Sequence, residues 1–117
     1  MAAQRFRLGV DFGTSHTVAV LAWPDGTAQP LLFDGSPLLP SAVYADPSGA
    51  LLVGQDAWHA ARTGPQHFEP NPKRRIDEGL VLLGRRELPV EELIASVLAR
   101  VAAEAVRVAG EPIDAGG

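Results

Sequence analysis

Residues 8–23 read LGVDFGTSHTVAVLAW and predict two strands joined by a tight bend. Leu8 and Val10 alternate with Gly9, and β-branched and apolar residues resume from Thr17, which is the periodicity of strands with two distinct faces. At the bend a single carboxylate, Asp11, is followed by glycine and hydroxyl residues. This part of the chain is therefore predicted to fold as β-structure organised around one polar bend.

The bend has the composition of an anion-binding loop. Gly13 lacks a Cβ and lets backbone approach a ligand, successive N–H groups can surround an anion, and Thr14 and Ser15 add hydroxyl donors. Asp11, at the end of the first strand, is placed to hold a hydrated Mg²⁺ that bridges to phosphate oxygens. The Walker pattern GxxxxGK[ST] and the GxGxxG fingerprint are both absent. The alternative is an ordinary hairpin turn in which Asp11 caps its own backbone.

The composition describes one globular domain or a piece of one. The chain has 117 residues, of which 46% are hydrophobic, and a mean hydropathy of +0.06, values that argue against disorder. The formal net charge of −4 disfavours a nucleic-acid partner, because binding to phosphate backbones needs a basic surface. The absence of cysteine excludes disulfides and thiolate metal sites.

No membrane partner is expected. The longest apolar run, residues 18–23, is far shorter than the roughly 20 residues that span a bilayer. Asp11 interrupts the apolar stretch that a signal peptide would need. We therefore expect a soluble, cytoplasmic protein.

The rest of the pattern indicates an α/β fold. A long amphipathic helix is predicted over residues 90–109, where eight apolar residues recur at helical spacing, with Pro89 at its first position and Gly110 at its end. The other predicted elements are strands at 29–33, 41–45, 51–53 and 80–83, a short helix at 55–62, a loop at 66–72 and a turn at 84–86.

Lys73, Arg74 and Arg75 form a basic cluster with two interpretations. They could place a cation against a phosphate, or they could form a solvated basic turn, and the residues alone favour the solvated turn because exposed charge is the norm. The three histidines, His16, His59 and His67, lack the spacing of metal ligands.

Several stretches together resemble the DnaK-type heat-shock 70 kDa chaperones, and the loop alone resembles the first phosphate loop of ATPases with the actin, hexokinase and heat-shock ATPase fold. The resemblance extends over about residues 7–112. The matching stretches, in chain order, are GVDFGTSH at 9–16, LLPSAVY at 38–44, LVGQDA at 52–57, the Lys73-Arg74 pair, and GEP at 110–112.

The resemblance implies a ribonuclease H-like, actin-type ATPase lobe with a mixed β-sheet and amphipathic helices. Residues 1–117 would form the amino-terminal part of a DnaK-like nucleotide-binding domain, so the lobe would be incomplete. His16, Pro72 and Asp77 depart from the residues usual in these chaperones, which indicates a divergent member.

The resemblance also implies ATP and Mg²⁺ as cofactors and assigns roles to the loop. Asp11 would coordinate Mg²⁺ through water and take part in catalysis. Lys73 would be the catalytic lysine that positions the γ-phosphate and the attacking water. The β- and γ-phosphates would be lined, through backbone and hydroxyl groups, by Gly13, Thr14, Ser15 and His16.

The whole protein implied by the resemblance hydrolyses ATP to drive binding and release of unfolded client proteins, with co-chaperones as further partners. The second phosphate loop and the second lobe would lie beyond Gly117, so this chain alone is expected to be an inactive fragment. Two alternatives remain: a sugar or metabolite kinase of the same superfold, and a non-catalytic interaction module or actin-like filament subunit.

Overall fold

The predicted hairpin forms the first sheet. In the computed structural model, which describes residues 5–113, strand β1 (Arg7–Phe12) pairs antiparallel with β2 (His16–Ala22). The far edge of β2 pairs with β3 (Ala28–Pro30) and with β4 (Leu39–Pro40). The ends of the predicted domain, residues 1–4 and 114–117, lie outside the described part.

The second sheet follows directly. Strand β5 (Val43–Ala45) is central and pairs with β6 (Leu51–Val53) and β7 (Phe68–Glu69). The third sheet is the hairpin of β8 (Leu80–Leu83) and β9 (Arg86–Pro89).

The helices connect these sheets and cover them. Helix α1 (Gln55–Ala61) follows β6, and 3₁₀ helices occupy Pro65–His67 and Pro72–Glu78. Helix α2 (Val90–Ala109) ends at Gly110, whose φ of 77° is left-handed, as the sequence predicts. No helix in residues 5–113 combines the length and the apolar character that crossing a membrane would require.

The core lies between the inner face of the first sheet, the second sheet and α2. Thr17, Ala19 and Leu21 alternate inward along β2, and Phe33 is fully buried beside them. From α2 the side chains of Val90, Leu93, Val97, Val101 and Ala105 are buried in the same cluster. Leu98, predicted on this face, is 40% exposed because it lies at the margin of the apolar stripe.

Three predicted strands differ in their bounds or pairing. The strand expected at 29–33 is only Ala28–Pro30, and Phe33 instead forms an isolated bridge with Ser36. The strand expected at 41–45 is only Val43–Ala45, because the chain leaves the first sheet after Pro40 and enters the second at Val43. Every strand pair in the described residues is antiparallel, whereas a mixed sheet was expected.

Further predictions fail where tertiary contacts decide the structure. The expected loop at 66–72 contains β7, which forms by pairing with β5. The basic cluster Lys73–Arg75, for which the residues alone favoured a solvated turn, is exposed but lies in a 3₁₀ helix. The expected turn at 84–86 consists of two residues, with Arg86 already in β9. Pro89, expected inside α2, precedes it in extended conformation.

Candidate functional site

The bend between β1 and β2 is closed by its own backbone. The Gly13 N–H donates to the His16 carbonyl oxygen at 3.0 Å. A Cβ at position 13 would overlap that same oxygen, so the bend closes this tightly only with glycine. The bend does join two antiparallel strands as a hairpin, but the backbone bond closes it, and the Asp11 carboxylate accepts no described hydrogen bond from the bend.

Ser41 holds the bend from inside the core. Its Oγ donates to the Gly13 carbonyl oxygen at 2.9 Å, and its N–H donates to the Ser15 carbonyl oxygen at 2.9 Å. Its Oγ also lies 2.9 Å from Thr17 Oγ1, and both side chains are fully buried. Because the single hydroxyl proton of Ser41 goes to Gly13, the Thr17 hydroxyl must donate to Ser41. A buried chain of two hydroxyl groups thus fixes the bend.

Two side chains from the segment after β7 hold the other carbonyls of the bend. Lys73 Nζ donates to the Phe12 carbonyl oxygen at 2.9 Å. The Asn71 amide, with its nitrogen turned toward the bend, donates to the Thr14 carbonyl oxygen at 3.0 Å. With the two bonds from Ser41, every carbonyl of residues 12–15 accepts a hydrogen bond from a distant segment.

This arrangement directs the N–H groups of the bend away from those segments. In a planar trans peptide the carbonyl of one residue and the N–H of the next point in opposite directions. Because the carbonyls of Gly13 and Thr14 point toward Ser41 and Asn71, the N–H groups of Thr14 and Ser15 point the other way. In the described residues neither N–H has a hydrogen-bond partner. Adjacent N–H groups without partners in a turn are available to donate to an anion.

A buried carboxylate fixes the segment that carries Asn71 and Lys73. The side chain of Glu69 is only 5% exposed and accepts hydrogen bonds from the Asn71 N–H and from Arg75 Nε, both at 2.8 Å. Arg75 also donates to Glu78, and these two partners, Glu78 foremost, raise the pKa of its guanidinium above the usual range. The ion pairs therefore hold the first turn of the 3₁₀ helix in place, and with it the lysine.

The structure brings five of the six predicted site residues into one place. The bend contains Gly13, Thr14, Ser15 and His16, and Lys73 contacts its first carbonyl. Thr14 is half-buried, whereas Ser15, His16 and Lys73 are exposed and accessible to a ligand.

Asp11 is the sixth predicted residue and lies in β1 itself. It pairs with Val18 on the outer face of the sheet, and it is exposed. No group of three or more histidine or acidic residues within residues 5–113 could by itself hold a metal ion. A magnesium ion at Asp11 would therefore depend on water and phosphate oxygens for its other ligands, which is the usual coordination of Mg²⁺ in such sites.

The sequence interpretation missed Ser41, Thr17, Asn71 and Glu69. Ser41 carries a usable signal, because a hydroxyl inside the apolar run LLPSAVY must find a hydrogen-bond partner when buried. Asn71, between two prolines, carries none, since its partner lies 57 positions away in the chain at Thr14.

The structure thus presents a glycine-containing hairpin bend with two N–H groups that have no described partner and with a lysine bound at its first carbonyl. The chain is 29% identical to the chaperone protein DnaK of Thermotoga neapolitana over 104 residues, which are 87% of this chain and 17% of the relative. It is also 29% identical to the DnaK proteins of Thermotoga petrophila and Thermotoga maritima over 100 residues. No protein-family model matches the chain.

These similarities support a relation between this stretch and the heat-shock 70 kDa chaperones. The chain spans only 17% of the length of the curated relatives it matches.

Proposed function

We propose that this chain is the phosphate-holding part of an ATP-binding, chaperone-like protein, and that it forms part of an actin-type ATPase lobe. The observation that carries the proposal is the arrangement of the bend. All four carbonyls of residues 12–15 are held by distant donors, and the N–H groups of Thr14 and Ser15 are left without partners. This pre-organised bend offers donors to the β- and γ-phosphates, and the hydroxyl groups of Thr14 and Ser15 add to them.

Lys73 supplies the positive charge at this site. Its exposed ammonium group donates to the Phe12 carbonyl oxygen at the start of the bend, and in this proposal it turns from that carbonyl toward a phosphate seated on the free N–H groups. An ammonium group in this place offsets charge on the transferred phosphoryl group, which is the main requirement of phosphoryl transfer. Lys73 is therefore proposed as catalytic in the whole protein.

The donor set fits Mg·ATP. The bend presents two N–H groups and two hydroxyls to phosphate oxygens, and Asp11 adds a carboxylate on the outer face of the neighbouring strand. Bound Mg²⁺ neutralises phosphate charge and orients the phosphate oxygens. Asp11 would hold the ion's water shell, and His16 would line the phosphate side of the bend.

The activity of the whole protein is the wider part of the proposal. The similarity to proteins named chaperone protein DnaK supports ATP hydrolysis coupled to the binding and release of unfolded client proteins, with co-chaperones as partners. The chain matches 17% of those relatives, so we propose that it binds nucleotide and that hydrolysis needs the rest of the protein.

The proposal is tested by adding Mg·ATP to the ¹⁵N-labelled chain and following the amide signals. We expect saturable shifts at Thr14 and Ser15. Lys73→Ala should weaken binding by about tenfold or more, because a charge-assisted contact is lost. Arg74→Ala is the matched control, since Arg74 is the adjacent exposed cation and its side chain makes no described contact with the bend.

Two outcomes contradict the proposal: shifts that avoid the bend, or equal weakening by Lys73→Ala and Arg74→Ala. In the whole protein, Lys73→Ala should also slow single-turnover hydrolysis by about tenfold or more. An unchanged hydrolysis rate in the whole protein would rule out a catalytic role for Lys73. The binding role of Lys73 would still be decided by the amide titration.

A further inference from the structure

A cavity lies between the turn of the β8–β9 hairpin and the end of β5, and it shares no residue with the bend. Its volume is about 440 Å³. The polar side chains that line it are Gln66, His67, Arg85 and Arg86, and the rest of the lining includes Ala45 and Leu83. No carboxylate lines it, so its fixed charge is positive.

Arg86 carries an unsatisfied donor at this cavity. Its Nη1 is buried and has no hydrogen-bond partner, a condition that no other buried side-chain nitrogen or oxygen of residues 5–113 shares. A buried polar group without a partner loses its water and gains nothing in return, and the cost is larger for a charged group. Nη1 of Arg86 therefore has no acceptor within the described part of the chain.

Asp46, which lies in the chain between the cavity-lining residues Ala45 and Pro47, is engaged elsewhere. Its carboxylate accepts a hydrogen bond from the Ser48 N–H at 3.0 Å. That contact with Ser48, assisted by the field of His67, lowers the pKa of Asp46. Asp46 thus remains ionised and accepts a hydrogen bond within its own turn, and no described contact joins it to Arg86.

The cavity wall is held rigidly. Gly84 has a φ of 64° at the first position of the two-residue hairpin turn, and its N–H donates to the Gln66 carbonyl oxygen at 2.8 Å. A Cβ on Gly84 would overlap the His67 ring, so the ring lies directly against this turn. On its other side, the ring centroid of His67 is 5.7 Å from that of Tyr44. The end of the hairpin, with Arg85 in the turn and Arg86 at the start of β9, is therefore fixed against the second sheet.

We propose that this cavity binds a small oxyanion, a carboxylate or phosphate group, with Arg86 as its principal ligand. The planar guanidinium presents paired donors that match the geometry of two oxygens on one group. In the proposed complex the guanidinium reorients so that Nη1 donates to the anion, and this contact removes the cost of its isolation. Arg85 and His67 add positive charge and a ring N–H at the rim.

The experiment is a titration of the ¹⁵N-labelled chain with inorganic phosphate and, separately, with acetate, at constant ionic strength set with chloride. Saturable shifts at Gly84, Arg85 and the His67 ring are expected. The anion that saturates at the lower concentration identifies the preferred group. Shifts at Thr14 and Ser15 report the bend separately, so failure at one site is distinguishable from failure at the other.

Three variants decide the assignment. Arg86→Gln should weaken binding at this cavity by about tenfold, and Arg86→Lys should also weaken it, because lysine cannot present a two-pronged donor. The control is Arg62→Gln, which removes the same charge from an exposed position in the turn after α1. If Arg86→Gln does not fold, Arg85→Gln, at the exposed turn, should still weaken binding. Shifts that rise linearly without saturation, or unchanged binding by Arg86→Lys and Arg85→Gln, overturn the proposal.

Discussion

The hydroxyl groups of Thr17 and Ser41 lie 2.9 Å apart in the core, and they pass a hydrogen bond outward to the Gly13 carbonyl. The two residues come from adjacent antiparallel strand segments, and both are fully buried. Their pairing links the packing of the core to the shape of the bend. The backbone conformation of the bend is therefore fixed by hydrogen bonds from the buried core residues below it.

Ser41→Ala should lower the free energy of unfolding by about 1–3 kcal/mol, because it leaves the buried Thr17 hydroxyl and the Gly13 carbonyl without their partner. Chemical denaturation monitored by tryptophan fluorescence measures the change. Ser48→Ala, at an exposed turn, is the control and should change stability by less than about 0.5 kcal/mol. Equal effects of the two replacements would mean that the hydroxyl chain does not stabilise the fold.

Gly13→Ala should weaken Mg·ATP binding by about tenfold or more, because the new Cβ would force the His16 carbonyl out of the closed bend. Titration calorimetry provides the measurement. Gly9→Ala is the matched control in the preceding strand, where a Cβ would meet nothing closer than the Val20 carbonyl oxygen at 4.0 Å. Unchanged Mg·ATP affinity in Gly13→Ala would show that the closed bend is not part of the nucleotide-binding site.

Glu69→Ala should weaken Mg·ATP binding although Glu69 does not reach the bend, because the carboxylate positions the segment that carries Lys73. It should also cost about 1–3 kcal/mol of stability, since Arg75 and the Asn71 N–H lose a buried acceptor. Glu78→Gln removes only the exposed partner of Arg75 and should leave binding intact. If both variants bind nucleotide normally, the lysine is positioned by other contacts.

Glu104 should make the stability of α2 depend on pH. Its hydrogen bonds from Arg107, together with the nearby Arg100, lower the pKa of this carboxyl below its ordinary value. A lowered folded-state pKa contributes stability above the unfolded value of about 4.3, and this contribution is lost as the pH falls through the folded-state value.

The test is the free energy of unfolding between about pH 6 and 3, the range in which the contribution of a lowered carboxyl pKa fades. Glu104→Gln should flatten the acid decline, whereas Glu111→Gln, at an exposed position after α2, should leave it unchanged. A decline equally steep in both variants would assign the acid sensitivity to other carboxyl groups.

Strong local patterns in the sequence predicted the elements well. Helix α2 has the predicted bounds because its apolar residues repeat at helical spacing over 20 positions. Strand β9 was missed because Arg86 and Glu87 interrupt any apolar alternation, and this strand exists through its pairing with β8. Local sequence propensity does not predict a strand whose formation depends on pairing with a neighbouring strand.

The candidate site was predictable only in part, and the reason is distance along the chain. A polar bend is predictable from the residue types alone, because glycine permits a tight turn and the hydroxyl side chains are polar; these residues are Gly13, Thr14 and Ser15. The contact between Lys73 and Phe12 joins residues 61 positions apart, and no local pattern reports such a contact. The residues alone favoured a solvated turn for the basic cluster, because the sequence does not show that a 3₁₀ helix brings its first lysine back to β1.

The passage from the first sheet to the second takes two fully buried residues, Ser41 and Ala42. Because this link is so short, a change in the angle between the two sheets must move Ser41, whose hydrogen bonds hold the bend. The conformation of the bend is therefore coupled to the angle between the sheets. By linkage, free energy that a ligand gains from one setting of the bend also favours one angle between the sheets.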